Sequence, residues 1–437
     1  MHAFKKGIIL VFKDMTRDNK IELMAPAGDF AAMQAAIDNG ADSIYFGVEQ
    51  LNMRARATVN FTMDDLEEIV ERCEAKGVRT YLTLNTIIFD HDLKVIKKLV
   101  DRAKETGITA VIAMDQAVIS YAHSVGVEIH ISTQLNITNL ETVKFYSHFA
   151  DTMVMARELS LRQVKFIVDG IIRDNVRGPS GQLVEVEVFG HGALCMATSG
   201  KCYLSLHAQN SSANRGACKQ ECRRAYEVKD LETGNILKIE NEFIMSPKDL
   251  AVINFLDELI ETGAKVLKIE GRGRAPEYVA TVIRNYREAI DSYYDGTFSD
   301  EKVADWMESL RTVYNRDFWG GYLYGKELGD WANTSGSQAT QKKTYIAKGR
   351  HYYPKPEIGE FLIEAHGMKV GDHMLITGPT TGAQEFVLES MMVNDEKSEV
   401  AKRGDIVTMK LPFRIRPSDR MYKIEKTEFA QKKLIEQ

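Results

Sequence analysis

Four cysteines lie close together in the sequence and are the residues best suited to hold a metal centre. They are Cys195, Cys202, Cys218 and Cys222, within one stretch that also contains Gly200 and Gly216. Thiolates bind soft metal ions, so the set predicts an iron–sulfur cluster or structural zinc. Structural zinc is usually held by paired Cys-x-x-Cys motifs, and neither pair here has that spacing. We therefore expect a cluster, with zinc and unliganded thiols as the alternatives.

The rest of the composition indicates a reducing compartment for these thiols. No apolar run approaches the roughly 18 residues that a membrane span needs, and the apolar block Gly7–Phe12 is too short for a signal peptide. We expect a cytoplasmic protein that does not contact a membrane and has no disulfides. Residues 1–20 are expected to form a poorly ordered extension. The fifth cysteine, Cys73, fits the core face of a helix.

The elements that must position the cysteines follow a repeating strand–helix pattern, which predicts a (β/α)8 TIM-like barrel over residues 21–332. A doubly wound open sheet is the alternative fold. The eight apolar runs expected as strands are Glu22–Ala25, Ser43–Phe46, Thr80–Leu84, Ala110–Met114, Glu128–Ser132, Thr152–Met155, Val184–Phe189 and Lys265–Ile269. The cysteines fall in an insertion after strand seven, residues 190–242, and Pro247–Thr262 is expected as a helix leading into strand eight.

A second, smaller domain is expected after the barrel. A linker rich in Ser, Thr, Gln and Gly occupies residues 333–344, and short alternating segments separated by turn signals fill residues 345–437. This pattern predicts a C-terminal all-β barrel domain. The whole chain carries a net charge of -6, but this domain has a small excess of Lys and Arg, which fits contact with RNA and fits an ordinary solvated surface as well.

Polar residues follow the predicted barrel strands, where barrel enzymes place their chemistry. Candidate catalytic residues are His130, Arg157, Glu158, Lys268 and Glu270. Arg157, Lys268 and Arg272 are the expected binding residues for a small anionic metabolite, because guanidinium groups bind carboxylates and phosphates through paired hydrogen bonds.

Each candidate also has a structural interpretation. Arg157 and Glu158 fit an ion pair closing the rim. His130 fits a hydrogen-bonded residue filling the barrel. Lys268 and Glu270 share one face of strand eight and fit a structural pair.

Several motifs resemble those of a known family. Gly190-His191-Gly192-Ala193-Leu194-Cys195 and Ser199-Gly200-Lys201-Cys202 look like the cysteine signature of the collagenase-like "unassigned peptidase" family thirty-two. The segments Glu22–Asp29, Ser246–Leu250 and Lys268–Arg272 resemble its other characteristic stretches. The resemblance spans about Ile21 to Lys426. Within the family, the sequence is interpreted as most similar to the tRNA uridine 5-hydroxylation proteins.

The resemblance implies an oxygen-independent hydroxylation of the tRNA wobble uridine that needs an iron–sulfur cluster, expected as 4Fe-4S, and is linked to prephenate as a co-substrate. The four cysteines are the positions that carry over as ligands. The implied macromolecular partner is tRNA, not DNA. Two alternatives stay open: a peptidase acting on collagen-like substrates, as the family's older label says, and a zinc-stapled RNA-binding protein. The sequence has no recognisable peptide-cleaving motif.

Overall fold

The fold is described from a computed structural model. The structure describes residues 20–49, 51–55, 60–227, 229–234, 243, 245–325, 329–334 and 336–428. The expected N-terminal extension therefore lies outside the described residues, apart from Lys20. No helix in the described ranges is both long and apolar enough to cross a membrane.

Eight parallel strands close into a barrel in the first three quarters of the chain. The strands up to residue 269 are β1 (Glu22–Pro26), β2 (Ser43–Phe46), β3 (Arg79–Leu84), β4 (Ala110–Ala113), β5 (Glu128–Ile131), β6 (Thr152–Val154), β7 (Glu185–Gly192), β8 (Asp249–Ala251) and β9 (Val266–Ile269). Strands β1 to β7 pair in sequence order, and β9 pairs with both β7 and β1 to complete the ring. The predicted barrel is thus confirmed, and the open sheet is excluded.

Most helices pack outside the ring and bury their apolar faces in the core, whereas the short helix Leu204–Gln209 lies in the insertion and buries only Ser205. They are α1 (Phe30–Asp38), α2 (Leu66–Glu74), α3 (Leu93–Glu105), α4 (Gln116–Val125), α5 (Leu140–Tyr146), α6 (Leu161–Arg173), α7 (Leu204–Gln209), α8 (Leu256–Glu261), α9 (Pro276–Tyr294) and α10 (Asp300–Thr312). Polar side chains cap some of them: Asp29 caps α1, and Ser160 forms a capping box with Gln163 on α6. Gly126 ends α4 in the left-handed conformation.

The segment between β7 and β9 differs from the prediction in one respect. Residues 247–262 were expected as one helix, but β8 occupies their first part and α8 begins only at Leu256. Strand β8 pairs antiparallel with the end of β7 and parallel with β10 (Phe318–Trp319). Buried Asp249 in β8 bonds the backbone and guanidinium of Arg316, so distant parts of the chain override the local helical pattern.

The C-terminal region is antiparallel β, as predicted. Its strands are β11 (Gln341–Tyr353), β12 (Ile358–Ile363), β13 (Met368–Lys369), β14 (His373–Gly378), β15 (Gly382–Val387), β16 (Met391–Val393), β17 (Glu396–Ser398), β18 (Val400–Ala401), β19 (Ile406–Lys410) and β20 (Arg420–Lys426). Eight of them form one sheet around a separate apolar core. Strand β11 begins inside the residues predicted as a linker. The domain contacts the barrel through β15, whose Gly382 approaches Ala35 of α1, and through an ion pair of 2.8 Å between Lys343 and Glu277 of α9.

Candidate active site

A cavity of about 370 Å³ opens at the carboxyl ends of the barrel strands. Its floor is formed by strand-end residues and its outer wall by the insertion that follows β7. This wall is tied down by its own polar contacts: Ser205 Oγ accepts from Lys219 N at 2.9 Å, and Ser211 Oγ donates to Ala217 O at 2.7 Å. Arg215 fastens it to the barrel by donating to Ile87 O at 2.8 Å. The described part of the insertion therefore forms a hydrogen-bonded wall over the barrel mouth.

All four cysteines of the insertion line this cavity. Cys195 and Cys218 are exposed, and Cys202 and Cys222 are half-buried. Burial raises the pKa of the Cys202 and Cys222 thiols, and the neighbouring thiolates of Cys195 and Cys218 raise it further. The four cysteines singled out in the sequence therefore lie close enough to one another to interact electrostatically. Cys73, in contrast, is fully buried in the barrel core.

The cysteine thiols do not form a preformed coordination sphere. In the part of the chain that the structure describes, no group of three or more His, Cys, Asp or Glu side chains is arranged to hold a metal ion. Metal–sulfur bonds are only about 2.3 Å long, so four ligands must converge closely on one centre. The four cysteines share a cavity wall, and their role as metal ligands stays a prediction.

The cavity wall is strongly cationic. One carboxylate, Glu270, lines it among the described residues. Its cationic lining residues are Arg54, Arg157, Arg223, Lys268, Arg272, Arg274 and Arg316. Arg54 and Arg157 interact electrostatically with Cys218 and Cys195, respectively. The positive wall is therefore suited to thiolates, to an anionic ligand or to an oxyanion formed during a reaction.

Arg157 extends from the end of β6 across the cavity floor. Its guanidinium lies 3.9 Å from the centre of the Phe189 ring and donates to Ala193 O at 3.0 Å. Burial lowers the pKa of Arg157, although Glu270 partly opposes this effect. Its buried Nε has no hydrogen-bond partner among the described residues. Arg157 therefore has a donor left for a ligand.

Arg272 is held more firmly. It donates to Thr83 Oγ1 and Asn52 Oδ1 and is almost fully buried, and burial lowers its pKa to about 10. Its Nε also lacks a partner within the described ranges. Arg274, two residues further, stacks on Tyr314 at 3.5 Å. The side chains of both arginines therefore line the cavity.

Glu270 is an ionised partner of these arginines. Its carboxylate accepts from Arg54 Nη2 at 2.7 Å. Burial would raise the pKa of Glu270, but Arg54, Arg274 and Arg157 outweigh burial and lower that pKa to about 2. The backbone beside it requires a glycine, because Gly192 has a φ of +104° and a Cβ there would lie 2.4 Å from Glu270 O. A carboxylate so strongly stabilised is a poor general base near neutral pH.

A row of charged side chains crosses the barrel interior beneath the cavity. Lys268 Nζ lies 2.6 Å from Glu187 Oε1, and Glu187 Oε2 lies 3.4 Å from His130 Nδ1. His130 Nε2 lies 3.5 Å from Glu128 Oε1 at the amino-terminal end of β5. Burial opposes the charged imidazole, but hydrogen bonds to the two carboxylates raise the pKa of His130 to about 9. We name these four residues the charged row.

The candidates from the sequence are therefore distributed over three places. Arg157, Lys268, Glu270 and Arg272 line the cavity with the cysteines, and His130 lies below it in the barrel. Glu158 lies instead in an outer groove beside Ser160 and Tyr322. The rim ion pair between Arg157 and Glu158 is not present among the ion pairs of the described residues.

Sequence reasoning missed Glu187, although a signal was available. It stands in the alternating stretch Val184-Glu185-Val186-Glu187-Val188. Side chains two positions apart in a strand share a face, and in a barrel one face points to the interior. Arg223 and Arg316 carried no such signal, because Arg223 reaches the cavity from a short 3-10 turn in the insertion and Arg316 from a bend outside the barrel strands.

The fold and the site define a β/α-barrel enzyme whose mouth is covered by a cysteine-bearing insertion. Residues 28–333 match the model of Peptidase family U32. The chain is 50% identical over 410 residues to a protein named collagenase from Porphyromonas gingivalis strain W83, covering 94% of this chain and 99% of that one. The chain belongs to peptidase family U32.

Two further similarities are weaker. The tRNA hydroxylation protein P1 of Bacillus subtilis is 32% identical over 417 residues, covering 92% of this chain and 95% of the relative. The solved thiamine phosphate pyrophosphorylase of Pyrococcus furiosus matches with a TM-score of 0.36 at 12% identity, covering 64% of this chain and 99% of that chain.

These similarities correct the interpretation within the family. The chain was expected to be most similar to the tRNA uridine 5-hydroxylation proteins, but it is 50% identical to a collagenase and 32% identical to a tRNA hydroxylation protein. The prediction of prephenate-linked wobble-uridine hydroxylation is therefore wrong, because it rested on that placement. The findings favour the alternative that the sequence left open, a peptidase.

Proposed function

We propose that this chain is a peptidase and that its catalytic centre is the cysteine-lined cavity at the barrel mouth. The observation that carries the proposal is the 50% identity to a collagenase over almost the full length of both chains. A collagen-like polypeptide is accordingly the proposed substrate. The proposal agrees with the fold, because barrel enzymes place their chemistry at the carboxyl ends of the strands.

The cationic wall fits the electrostatic demand of peptide hydrolysis. Attack on a peptide carbonyl places negative charge on its oxygen, and a fixed donor in a partly buried site stabilises that oxyanion. Arg157 is the proposed donor, because its buried Nε is unpartnered among the described residues and its guanidinium is held against Phe189. Lys268 and Arg272 are proposed to bind a carboxylate or carbonyl oxygen elsewhere on the substrate.

Activation of the water nucleophile needs a group other than Glu270. A carboxylate with a pKa of about 2 takes up little proton near neutrality. We propose that the four cysteines bind a metal centre, an iron–sulfur cluster with zinc as the competing outcome. The chemistry of the donors fits, because four thiols line one wall and cationic Arg54, Arg157 and Arg223 interact with them, but the thiols would have to converge when the centre binds. Because four cysteine ligands close such a centre, Lewis-acid action toward water or the substrate carbonyl would require one cysteine to give up its position to that oxygen.

The proposal is tested with anaerobically purified full-length protein. Gelatin and a glycine- and proline-rich peptide are incubated with it, and new amino termini are identified by mass spectrometry. Cleavage should be lost in Arg157→Gln and kept in Cys73→Ala, a control whose thiol lies in the core. Metal content and the visible spectrum are recorded on the same samples. A metal-loaded, folded protein that produces no new amino termini contradicts the peptidase proposal.

A further inference from the structure

The charged row connects the two ends of the barrel. Glu128 is partly exposed at the amino-terminal end, whereas Lys268 lines the cavity at the opposite end. Between them, His130 and Glu187 are almost completely buried. Burying several charges is costly, and apolar side chains would fill a barrel interior at lower cost. Because stability alone does not account for these buried charges, we expect the charged row to have a function.

The geometry makes one carboxylate serve two cations. Glu187 contacts Lys268 through one oxygen and His130 through the other. When His130 is protonated, the two cations and two carboxylates of the charged row balance, and Glu187 is shared between His130 and Lys268. When His130 is neutral, the row carries one net negative charge, and the region beneath the cavity is less attractive to an anion. The electrostatic potential at Lys268 Nζ thus depends on a residue that does not line the cavity.

We propose that His130 is a positioning residue that acts through Glu187 to control how strongly Lys268 attracts an anionic group in the cavity. The inference rests on the cavity being the substrate site, as in the proposed function. Lys268 is thus proposed to bind the anionic group of the substrate. His130, which lies deeper in the barrel, is proposed to set the strength of that binding.

The surroundings of His130 determine the direction of its pH dependence. Glu128 lies on its own strand and Glu187 on β7, while the Tyr81 ring from β3 packs at 4.5 Å. Glu22 of β1 also acts on it, but this carboxylate is engaged by Arg79 and Tyr81. These groups favour protonated imidazole, with a pKa of about 9. Anion affinity should therefore be high near neutrality and fall as pH rises through that value.

The test uses sulfate, an anion whose charge does not change between pH 6 and 10. Binding to the full-length protein is measured by calorimetry at fixed ionic strength and across that pH range. Affinity should fall about tenfold from pH 7 to pH 10, as expected for losing one charge several ångströms away. In His130→Gln the affinity should already be low at pH 7 and vary little up to pH 9.

Two further variants make the result unambiguous. Glu128→Gln changes a partly exposed residue, should fold normally, and should shift the midpoint to lower pH because His130 loses a carboxylate partner. His191→Gln removes another buried histidine, one that contacts Tyr286 instead of Glu187, and should leave the profile unchanged. An unchanged midpoint in both His130→Gln and Glu128→Gln, or no sulfate binding at pH 7, overturns the inference. Loss of peptide cleavage with this profile intact refutes only the proposed function.

Discussion

Replacing Glu187 by Gln should be one of the most destabilising single changes in the barrel. The carboxylate has no solvent exposure and lies 2.6 Å from Lys268 Nζ and 3.4 Å from His130 Nδ1. At an effective dielectric constant of about 20, these contacts correspond to gross attractions of about 6 and 5 kcal/mol, which desolvation of the three groups largely offsets. Removing the charge leaves buried cations uncompensated, so we expect the free energy of unfolding to fall by about 3–5 kcal/mol at pH 7.

The pH dependence gives a second signature of the same change. The pKa of His130 is raised from 6.5 to about 9 in the folded protein. Its contribution to stability is therefore complete below pH 6.5 and is lost as pH rises through 9. In Glu187→Gln the pKa of His130 should fall, so this alkaline loss should shrink.

Equilibrium urea unfolding at several pH values measures both effects. Glu185→Gln, on the same strand but half-buried, is the matched control and should change stability by less than about 1 kcal/mol. The double variant Glu187→Leu with Lys268→Met should recover most of the loss, because an apolar pair replaces an ion pair. A Glu187→Gln protein within about 1 kcal/mol of wild type would refute the assignment of charged, buried side chains at Glu187, Lys268 and His130.

Three other changes test the cavity. Alanine at any one of the four cavity cysteines should abolish metal binding and the associated colour, whereas Cys73→Ala should retain both; elemental analysis and the visible spectrum decide. Arg157→Gln should lower kcat by about 10²–10³-fold with an unchanged far-ultraviolet spectrum, if it is the oxyanion donor; an effect on KM alone would make it a binding residue. Gly192→Ala should destabilise the protein and disturb the Arg54–Glu270 pair, because its Cβ would contact Glu270 O at 2.4 Å; thermal unfolding and a crystal structure would reveal either effect.

The barrel could be predicted from the sequence because its signals are local. Apolar strand runs alternate with amphipathic helices, and glycines such as Gly126 mark helix ends. The exception is residues 247–262, where the local pattern indicated a helix. Strand β8 forms there because Asp249 and Arg316 pair across 67 residues of sequence, and no local pattern carries that information.

The site could be predicted only in part. The cysteines and the residues at the ends of β6 and β9 were found, because the carboxyl ends of parallel strands meet at one end of a barrel. Adjacent residues can still point to different places: Arg157 enters the cavity, and Glu158 faces an outer groove. The placement within the family depended on motifs that its members share, so those motifs could not separate a peptidase from a tRNA-modifying relative.

The contact between the C-terminal domain and helices α1 and α9 has a consequence for folding order. These helices follow β1 and β9, the strands whose pairing closes the ring. During synthesis, β1 can pair with β9 only after residue 269 has been made. The contacts of Lys343 and Gly382 with the barrel helices form later still. Because β15 packs against the helices that follow β1 and β9, the C-terminal domain stabilises the pairing that closes the barrel. A nascent chain that has not reached residue 387 therefore has a barrel without the full set of these stabilising contacts.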